Sequence, residues 1–109
     1  MYATHYAVVA ACPTGAIAAE YLEWLTEGGH LQAVRDAGAL TAQAVRLDPP
    51  PNAPPKPIRV MSLYTFESRH AFEQYEREHA PRLRAEGVEK FGDSGITFTR
   101  EHGEVIAAR

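Results

Sequence analysis

Two segments of the 109-residue sequence place histidine, arginine and glycine at the same offsets. HLQAVRDAG covers residues 30–38, and HAPRLRAEG covers residues 79–87. Histidine is the side chain that changes charge closest to neutral pH, and a guanidinium can hold a carboxylate through two parallel hydrogen bonds. The repeated segments therefore suggest two kinds of chemistry, a base beside an anion clamp or a metal ion shared by His30 and His79.

A structural role is the stronger prediction for both histidines. Gly28-Gly29 comes directly before His30, and Pro81 follows His79 by two residues. Breaks of this kind free backbone carbonyl groups, and a nearby imidazole can donate a hydrogen bond to one of them. We therefore expect each histidine to support a helix bend, and its replacement by alanine to lower the melting temperature by a similar amount in both cases.

Tyrosine supplies the best candidates for contact with a ligand. Tyr6 and Tyr64 fall on predicted central strands, which can direct their hydroxyl groups into a cavity between two sheets. Such phenols suit a small aromatic or keto compound, and the structural alternative is a pair of core tyrosines with satisfied hydroxyl groups. Arg35 and Arg84 can clamp a carboxylate, but near predicted helix C-termini they also complement the helix dipole.

The remaining reactive side chains do not form a recognisable site. Cys12 is the only cysteine, so an internal disulfide is excluded, and it has no identifiable catalytic partner. His5, His70 and His102 lack the spacing of metal ligands, and the sequence contains neither a phosphate-binding loop nor a nucleophile elbow. We therefore predict no metal, no nucleotide and no other cofactor.

The composition is that of an ordinary globular domain, with 45% hydrophobic residues, 23% charged residues and a net charge of −3. The basic residues are spread among acidic ones, which argues against a nucleic-acid partner. No lysine or arginine precedes Arg35, and Pro13 interrupts an apolar run too short for a bilayer, so a signal peptide is not expected. We expect residues 1–109 to form one cytoplasmic domain that binds neither nucleic acid nor membrane.

The first half of the chain has the periodicity of a β-α-β unit. Alternation predicts a strand over residues 2–11 and another over residues 39–47. The helix between them is interrupted at Gly28-Gly29 and ends at Gly38. Residues 48–57, DPPPNAPPKP, carry six of the eight prolines and predict an exposed, extended loop.

The second half repeats the β-α-β order. Residues 58–66, IRVMSLYTF, form the clearest predicted strand and are apolar on both faces, which is typical of a strand covered on both sides. The following helix is kinked by Pro81 and ends at Gly87. The last predicted strand covers residues 96–106.

The duplicated order predicts an α+β fold, the ferredoxin-like β-α-β-β-α-β plait, with a four-stranded antiparallel sheet and two helices on one face. The helices of this plait run antiparallel, so His30 and His79 should lie toward opposite ends of the domain and not share a metal ion. The apolar face without helices needs a cover, and the sheet of a second copy is the natural one. We therefore expect a homodimer formed through the sheet face.

Two long segments, YLEWLTEGGHLQAVRDAGAL and HAPRLRAEGVEKFGDSGITF, resemble a small bacterial family of uncharacterised domains in the dimeric α/β-barrel superfamily. The resemblance covers nearly the whole chain, and its best marker is EHAPRLRAEG followed by EKFG. The proline-rich loop departs from the short hairpin usual in the family. The resemblance implies the fold and a dimer but no established activity, and the wider superfamily includes cofactor-free monooxygenases, haem-degrading enzymes and small isomerases.

Two classes of function therefore stay open. The first, which we favour, is a non-enzymatic binding or scaffold protein. The second is a cofactor-free enzyme of the monooxygenase or isomerase type that acts on a small organic molecule in the dimer cleft. An enzyme should contain a cavity on which at least two titratable side chains converge, whereas a scaffold should have a filled core.

Overall fold

Residues 2–109, the part of the chain that the computed structural model describes, contain four strands and four helices. The elements in chain order are β1 (Thr4–Cys12), α1 (Gly15–Leu25), α2 (His30–Asp36), β2 (Thr41–Arg46), β3 (Ile58–Phe66), α3 (Arg69–Glu78), α4 (Ala80–Phe91) and β4 (Thr97–Glu104). All four strands form one antiparallel sheet in the order β2-β3-β1-β4. The predicted antiparallel sheet is thus confirmed, and every strand end lies within two residues of its predicted position.

Each of the two predicted helices is divided into two separate segments. Gly28 and Gly29 lie between α1 and α2, and Gly29 has a positive φ of 82°. His79, with φ −126° and ψ −38°, joins α3 to α4. Pro81 lies in the first turn of α4, where the missing N–H leaves no helical bond unmade, so it begins a new helix instead of kinking a continuous one. Within residues 2–109, none of the helices is long and apolar enough to cross a lipid bilayer.

The glycines that close the repeated segments have different roles. Gly38 ends α2 as predicted: its φ is 126°, and the N–H of Ala39 donates to the Val34 carbonyl over 3.2 Å. Gly87, in contrast, lies inside α4, which continues to Phe91. A Cβ atom on Gly87 would lie 3.3 Å from Cη2 of Trp24, so the glycine makes room for the indole ring and does not end the helix.

Two core clusters join the helices to a single face of the sheet. The strand residues of both clusters are alternate residues of β1 and β3, namely Tyr6, Val8, Ala10, Cys12, Val60, Tyr64 and Phe66. The helix residues packed against them are Ala18, Tyr21, Leu25, Val34, Phe72, Tyr75, Ala80, Leu83 and Phe91. Every helix therefore contributes to the packing on this face of the two central strands.

The opposite face of the central strands is apolar and only partly covered. Val9 pairs with Met61, and Ala7 pairs with Leu63, in the β1–β3 register. Val9, Met61 and Leu63 are half-buried, although they lie near the middle of the sheet. We call this surface the open sheet face.

The proline-rich loop connects β2 to β3 at the periphery of the sheet. All ten of its residues, 48–57, are exposed. Its internal backbone hydrogen bond joins the Ala53 N–H to the Pro50 carbonyl over 3.1 Å.

Candidate functional site

A cavity of about 170 Å³ lies between the sheet and the helices. Its floor consists of strand residues that face the helices, Tyr6, Val8, Ser62 and Tyr64. Its walls are helix residues, Tyr21, Trp24, His30, Tyr75, Leu83, Arg84 and Gly87. Val88 of α4 and Phe98 and Arg100 of β4 complete the lining and are exposed, so the mouth lies between α4 and β4.

Both tyrosines predicted to contact a ligand lie on the cavity floor. The rings of Tyr6 and Tyr64 are stacked, with centroids 5.8 Å apart, and both side chains are buried. Tyr6 also packs against Phe72 and Tyr75 of α3. The expected position between two sheets is therefore corrected, because the alternation of β1 and β3 directs these phenols toward the helices and away from the open sheet face.

Arg84 connects the helix wall to the cavity floor. Its Nη2 donates hydrogen bonds to the Tyr6 hydroxyl over 3.1 Å and to Oε2 of Glu76 over 2.7 Å. Its Nε atom is buried and, among residues 2–109, has no hydrogen-bond partner. Burial disfavours the charged guanidinium, but the hydrogen bond to Tyr6 and the nearby Glu76 carboxylate outweigh it, and the pKa of Arg84 is raised.

The arginines of the two repeated segments lie in different surroundings. Arg35 lies in the last turn of α2, where it is exposed and complements the helix dipole as expected. Arg84 lies in the interior of α4, because the helix continues past Gly87 to Phe91. Of Arg35 and Arg84, only Arg84 lines the cavity.

Burial keeps three phenols of the cavity, those of Tyr21, Tyr64 and Tyr75, and the imidazole of His30 uncharged near neutral pH. It raises the pKa of Tyr21 to about 12, against the opposing effects of the Arg100 charge and, to a smaller extent, the Ser62 hydroxyl. It also raises the pKa values of Tyr64 and Tyr75, and it lowers the pKa of His30 to about 4. The cavity thus presents neutral phenols and a neutral imidazole, which bind through hydrogen bonds and ring faces.

The two repeated histidines have different surroundings. His30 begins α2 and stacks on Trp24, with ring centroids 4.1 Å apart and ring planes 19° apart. Among residues 2–109 its side chain donates no hydrogen bond to a freed carbonyl, and its ring face packs on the indole instead. His79 lies at the junction of α3 and α4, where its backbone N–H donates to the Tyr75 carbonyl over 2.9 Å and its carbonyl accepts from the Leu83 N–H over 3.1 Å.

The two imidazoles do not contribute to one site. His30 lines the cavity, and His79 is not part of the lining. Within the described residues, no group of three or more histidine, cysteine, aspartate or glutamate side chains could hold a metal ion. The structural role of His79 at the bend stays a prediction.

Several residues of the cavity lining were not predicted from the sequence to be site residues. Tyr21, Trp24 and Tyr75 line the cavity from the inward faces of their helices. The signal that identifies them is chemical: aromatic rings with polar tips are concentrated on the same faces as the aliphatic core residues. Arg100 gave no such signal, because the sequence of β4 does not show which of its alternating sides meets the helices.

Proteins of solved structure share this fold at low sequence identity. A dimeric ferredoxin-like protein from an uncultured marine organism has a TM-score of 0.73 at 11% identity, over 98% of this chain and 97% of that one. A putative antibiotic biosynthesis monooxygenase from Bacillus cereus has a TM-score of 0.67 at 12% identity, over 100% and 98%. A monooxygenase from the gene ActVA-Orf6 of Streptomyces coelicolor, in complex with nanaomycin D, has a TM-score of 0.62 at 18% identity, over 96% and 89%. At these identities the likeness shows the fold alone.

No curated protein matches the sequence. A family model described as a domain of unknown function, DUF4286, matches residues 4–105. The matched region begins with β1, ends one residue after β4, and includes both repeated segments and the whole cavity lining. The chain therefore belongs to the DUF4286 family.

Proposed function

We propose that the protein binds a small organic molecule in the cavity between the sheet and the helices. The observation that carries this proposal is the convergence of tyrosine side chains and a guanidinium on a largely aromatic cavity. Tyr6 and Tyr64, on its floor, are the ligand contacts that we propose. Cavities with apolar walls and a few oriented polar groups are typical of small-molecule sites. The volume of about 170 Å³ suits one six-membered ring, since a cavity of about 150 Å³ holds benzene.

Binding without turnover is the function that we favour. A general acid or base is most effective when its pKa lies near the working pH. Burial moves the pKa of Tyr21 to about 12 and that of His30 to about 4, so neither group exchanges a proton readily at neutral pH. The cavity is therefore better suited to holding a ligand than to acid–base chemistry.

A cofactor-free enzyme of the monooxygenase or isomerase type is the second candidate. The observation in its favour is the hydrogen bond from Arg84 to the Tyr6 phenol, because such a pair can stabilise negative charge that develops on a substrate oxygen. Two proteins with similar folds are described as monooxygenases, one of them putative. Oxygen consumption or product formation with a bound compound would establish this candidate in place of the first.

We also propose that two copies pair through the open sheet face in the manner of a dimeric α/β-barrel. The half-buried Val9, Met61 and Leu63 would then be removed from water. The pairing requires a ferredoxin-like plait with all helices on the other face, and the common face used by both core clusters supports that arrangement. One protein of similar fold is described as dimeric.

The remaining features of the proposal concern the whole chain. Residues 1–109 would act as one domain, and residues 48–57 would remain an exposed loop outside the ligand site. We propose the cytoplasm as its location, since a single cysteine agrees with a reducing compartment.

Trp24 provides a direct test of ligand binding. It is the only tryptophan of the chain and lines the cavity, so its fluorescence should report an occupant. A screen of small aromatic acids, phenols and quinones should yield at least one compound that changes this fluorescence in a saturable way. Calorimetry with the same compound should show one site per chain.

A matched pair of variants tests the location of the site. Gly87→Leu places a bulky side chain against Trp24 and into the cavity, so it should abolish binding. Ala85→Leu adds the same side chain to the exposed side of α4 and should bind as the original protein does. Unchanged affinity in a folded Gly87→Leu variant would contradict the proposal.

A further inference from the structure

We infer that the occupant of the cavity is a small aromatic carboxylate whose anionic group is received by Arg84 and Tyr6. The inference rests on the proposed function, because it names the chemical class of the molecule bound there. Charge, free hydrogen-bond donors and the shape of the walls each support it independently.

The charge around the cavity is positive. Arg84 and Arg100 belong to its lining, and the lining contains no carboxylate. Glu76, which is outside the lining, pairs with Arg84 over 2.7 Å and balances one of the two guanidinium charges. Arg100 forms no ion pair within residues 2–109, and its guanidinium lies 5.7 Å from the centroid of the Phe98 ring at the mouth. An entering ligand therefore meets one unbalanced positive charge, which favours an anion.

Two hydrogen-bond donors of the lining, one on Arg84 in the wall and one on Tyr6 in the floor, lack acceptors among residues 2–109. Both N–H groups of Arg84 Nη2 are used by Tyr6 and Glu76, whereas the Nε donor is buried without a partner among residues 2–109. Tyr6 accepts a hydrogen bond from Arg84, so the proton of its own hydroxyl remains available to a further acceptor. Two neighbouring donors beside a positive charge fit the two oxygens of a carboxylate.

The walls fit the ring that such a carboxylate would carry. Tyr6 and Tyr64 offer stacked ring faces on the floor, and Trp24 forms part of the opposite wall. His30 holds the indole in place from one side, and Gly87 leaves room for its edge on the other. A planar ring can pack on these aromatic surfaces while its carboxylate reaches Arg84.

Benzoate and benzamide are the matched probes, because they share size and shape and differ in charge. Calorimetry at neutral pH should show that benzoate binds about tenfold or more tightly than benzamide, as a charge-assisted hydrogen bond requires. Arg84→Gln should weaken benzoate by about tenfold and leave benzamide within about twofold. Tyr6→Phe should weaken benzoate by a smaller, severalfold factor.

Arg82→Gln is the matched control for the arginine variant. Arg82 lies on the same helix and pairs with Glu86 on the exposed surface. Its replacement by glutamine removes the same charge as Arg84→Gln, but outside the cavity lining, so benzoate affinity should not change. Arg84→Lys retains the charge but loses the planar fork, and it should bind benzoate with intermediate affinity. A melting transition recorded for each variant shows whether that variant is folded. If Arg84→Gln does not fold, the comparison of Arg84→Lys with the original protein decides the test.

The possible outcomes separate the inference from the proposed function. Equal or tighter binding of benzamide overturns the carboxylate inference and leaves small-molecule binding intact. Failure of both probes also overturns the inference, and the wider screen then decides the proposed function. Benzoate binding that survives in a folded Gly87→Leu variant places the anion outside the cavity. This result overturns both the carboxylate inference and the proposed binding site.

Discussion

Arg84 shows that the role of one residue depends on where its helix ends. If α4 ended at Gly87, Arg84 would lie in its last turn and complement the helix dipole. The helix continues to Phe91, and the guanidinium reaches Tyr6, which is 78 residues away in sequence. A glycine inside a helix costs about 1 kcal/mol relative to alanine. Packing of Trp24 against Gly87 explains why the helix nevertheless continues there.

The surroundings of His30 lead to a prediction about pH. Its pKa falls from 6.5 to about 4 on burial, so the unfolded chain binds a proton more tightly than the folded protein between these values. The neutral form of His30 therefore costs no stability above pH 6.5. The free energy of unfolding decreases as the pH falls from 6.5 toward 4, because the unfolded chain then gains the proton first. The loss should reach up to about 3 kcal/mol, as the size of the pKa shift implies.

The His30→Phe variant retains a ring that can stack on Trp24 but has no proton to bind. Urea unfolding at neutral pH and at a pH near 4 should therefore show a smaller loss of stability for this variant than for the original protein. His70 is exposed, so His70→Gln should behave like the original protein. An identical acid-induced loss in His30→Phe would show that the imidazole of His30 is not responsible.

At the scale of elements, the sequence predicts strands better than it predicts helix ends. The strand over residues 58–66 is correct to the residue, because a run of apolar and β-branched side chains between breakers is a local signal. Pro81 was identified correctly as a break, but whether it kinks one helix or begins another depends on the chain around His79. Gly87 was misread because its partner, Trp24, lies on a different helix.

For the candidate site, too, the sequence predicts local features but not how they are arranged in space. Tyr6 and Tyr64 were identified as a pair from their types and their central strands, and they do lie together on the cavity floor. Alternation along a strand shows which residues share a face, but not which face meets the helices. Their direction, and with it the position of the cavity, therefore required the three-dimensional arrangement.

The proline-rich loop should be dispensable for folding. Residues 49–57 are exposed, and β2 and β3 continue in register up to the pairing of Leu47 with Arg59. Replacement of these residues by Asn-Gly should therefore leave a two-residue hairpin and change the free energy of unfolding by less than about 1 kcal/mol. Urea denaturation measures this change, and a collapse of cooperativity would show that the loop has a structural role.

At the scale of the whole molecule, the open sheet face is the main feature that one copy leaves unexplained. Its central residues are apolar, and the helices pack on the other side of the same strands. A second sheet packed on this face would supply the missing cover, as in other sheet-on-sheet arrangements.

Sedimentation at micromolar concentration should therefore give a mass near twice the chain mass of 12.0 kDa. Leu63→Asp buries a charge in the proposed interface and should weaken the dimer by about 2 kcal/mol or more, so that monomers appear. Val88→Asp makes the same kind of change on the exposed surface of α4 and should leave the mass unchanged. A monomeric original protein would disprove pairing through the sheet.

The mouth of the cavity lies between α4 and β4, on the helix side of the sheet. In a dimer joined through the open sheet faces, both sheets would separate the two cavities, and each mouth would open on an outer layer. The copies would then share no wall of a site. Each dimer would carry two independent occupants, each able to enter and leave while the subunits stay together, and the binding isotherm would be hyperbolic instead of sigmoidal.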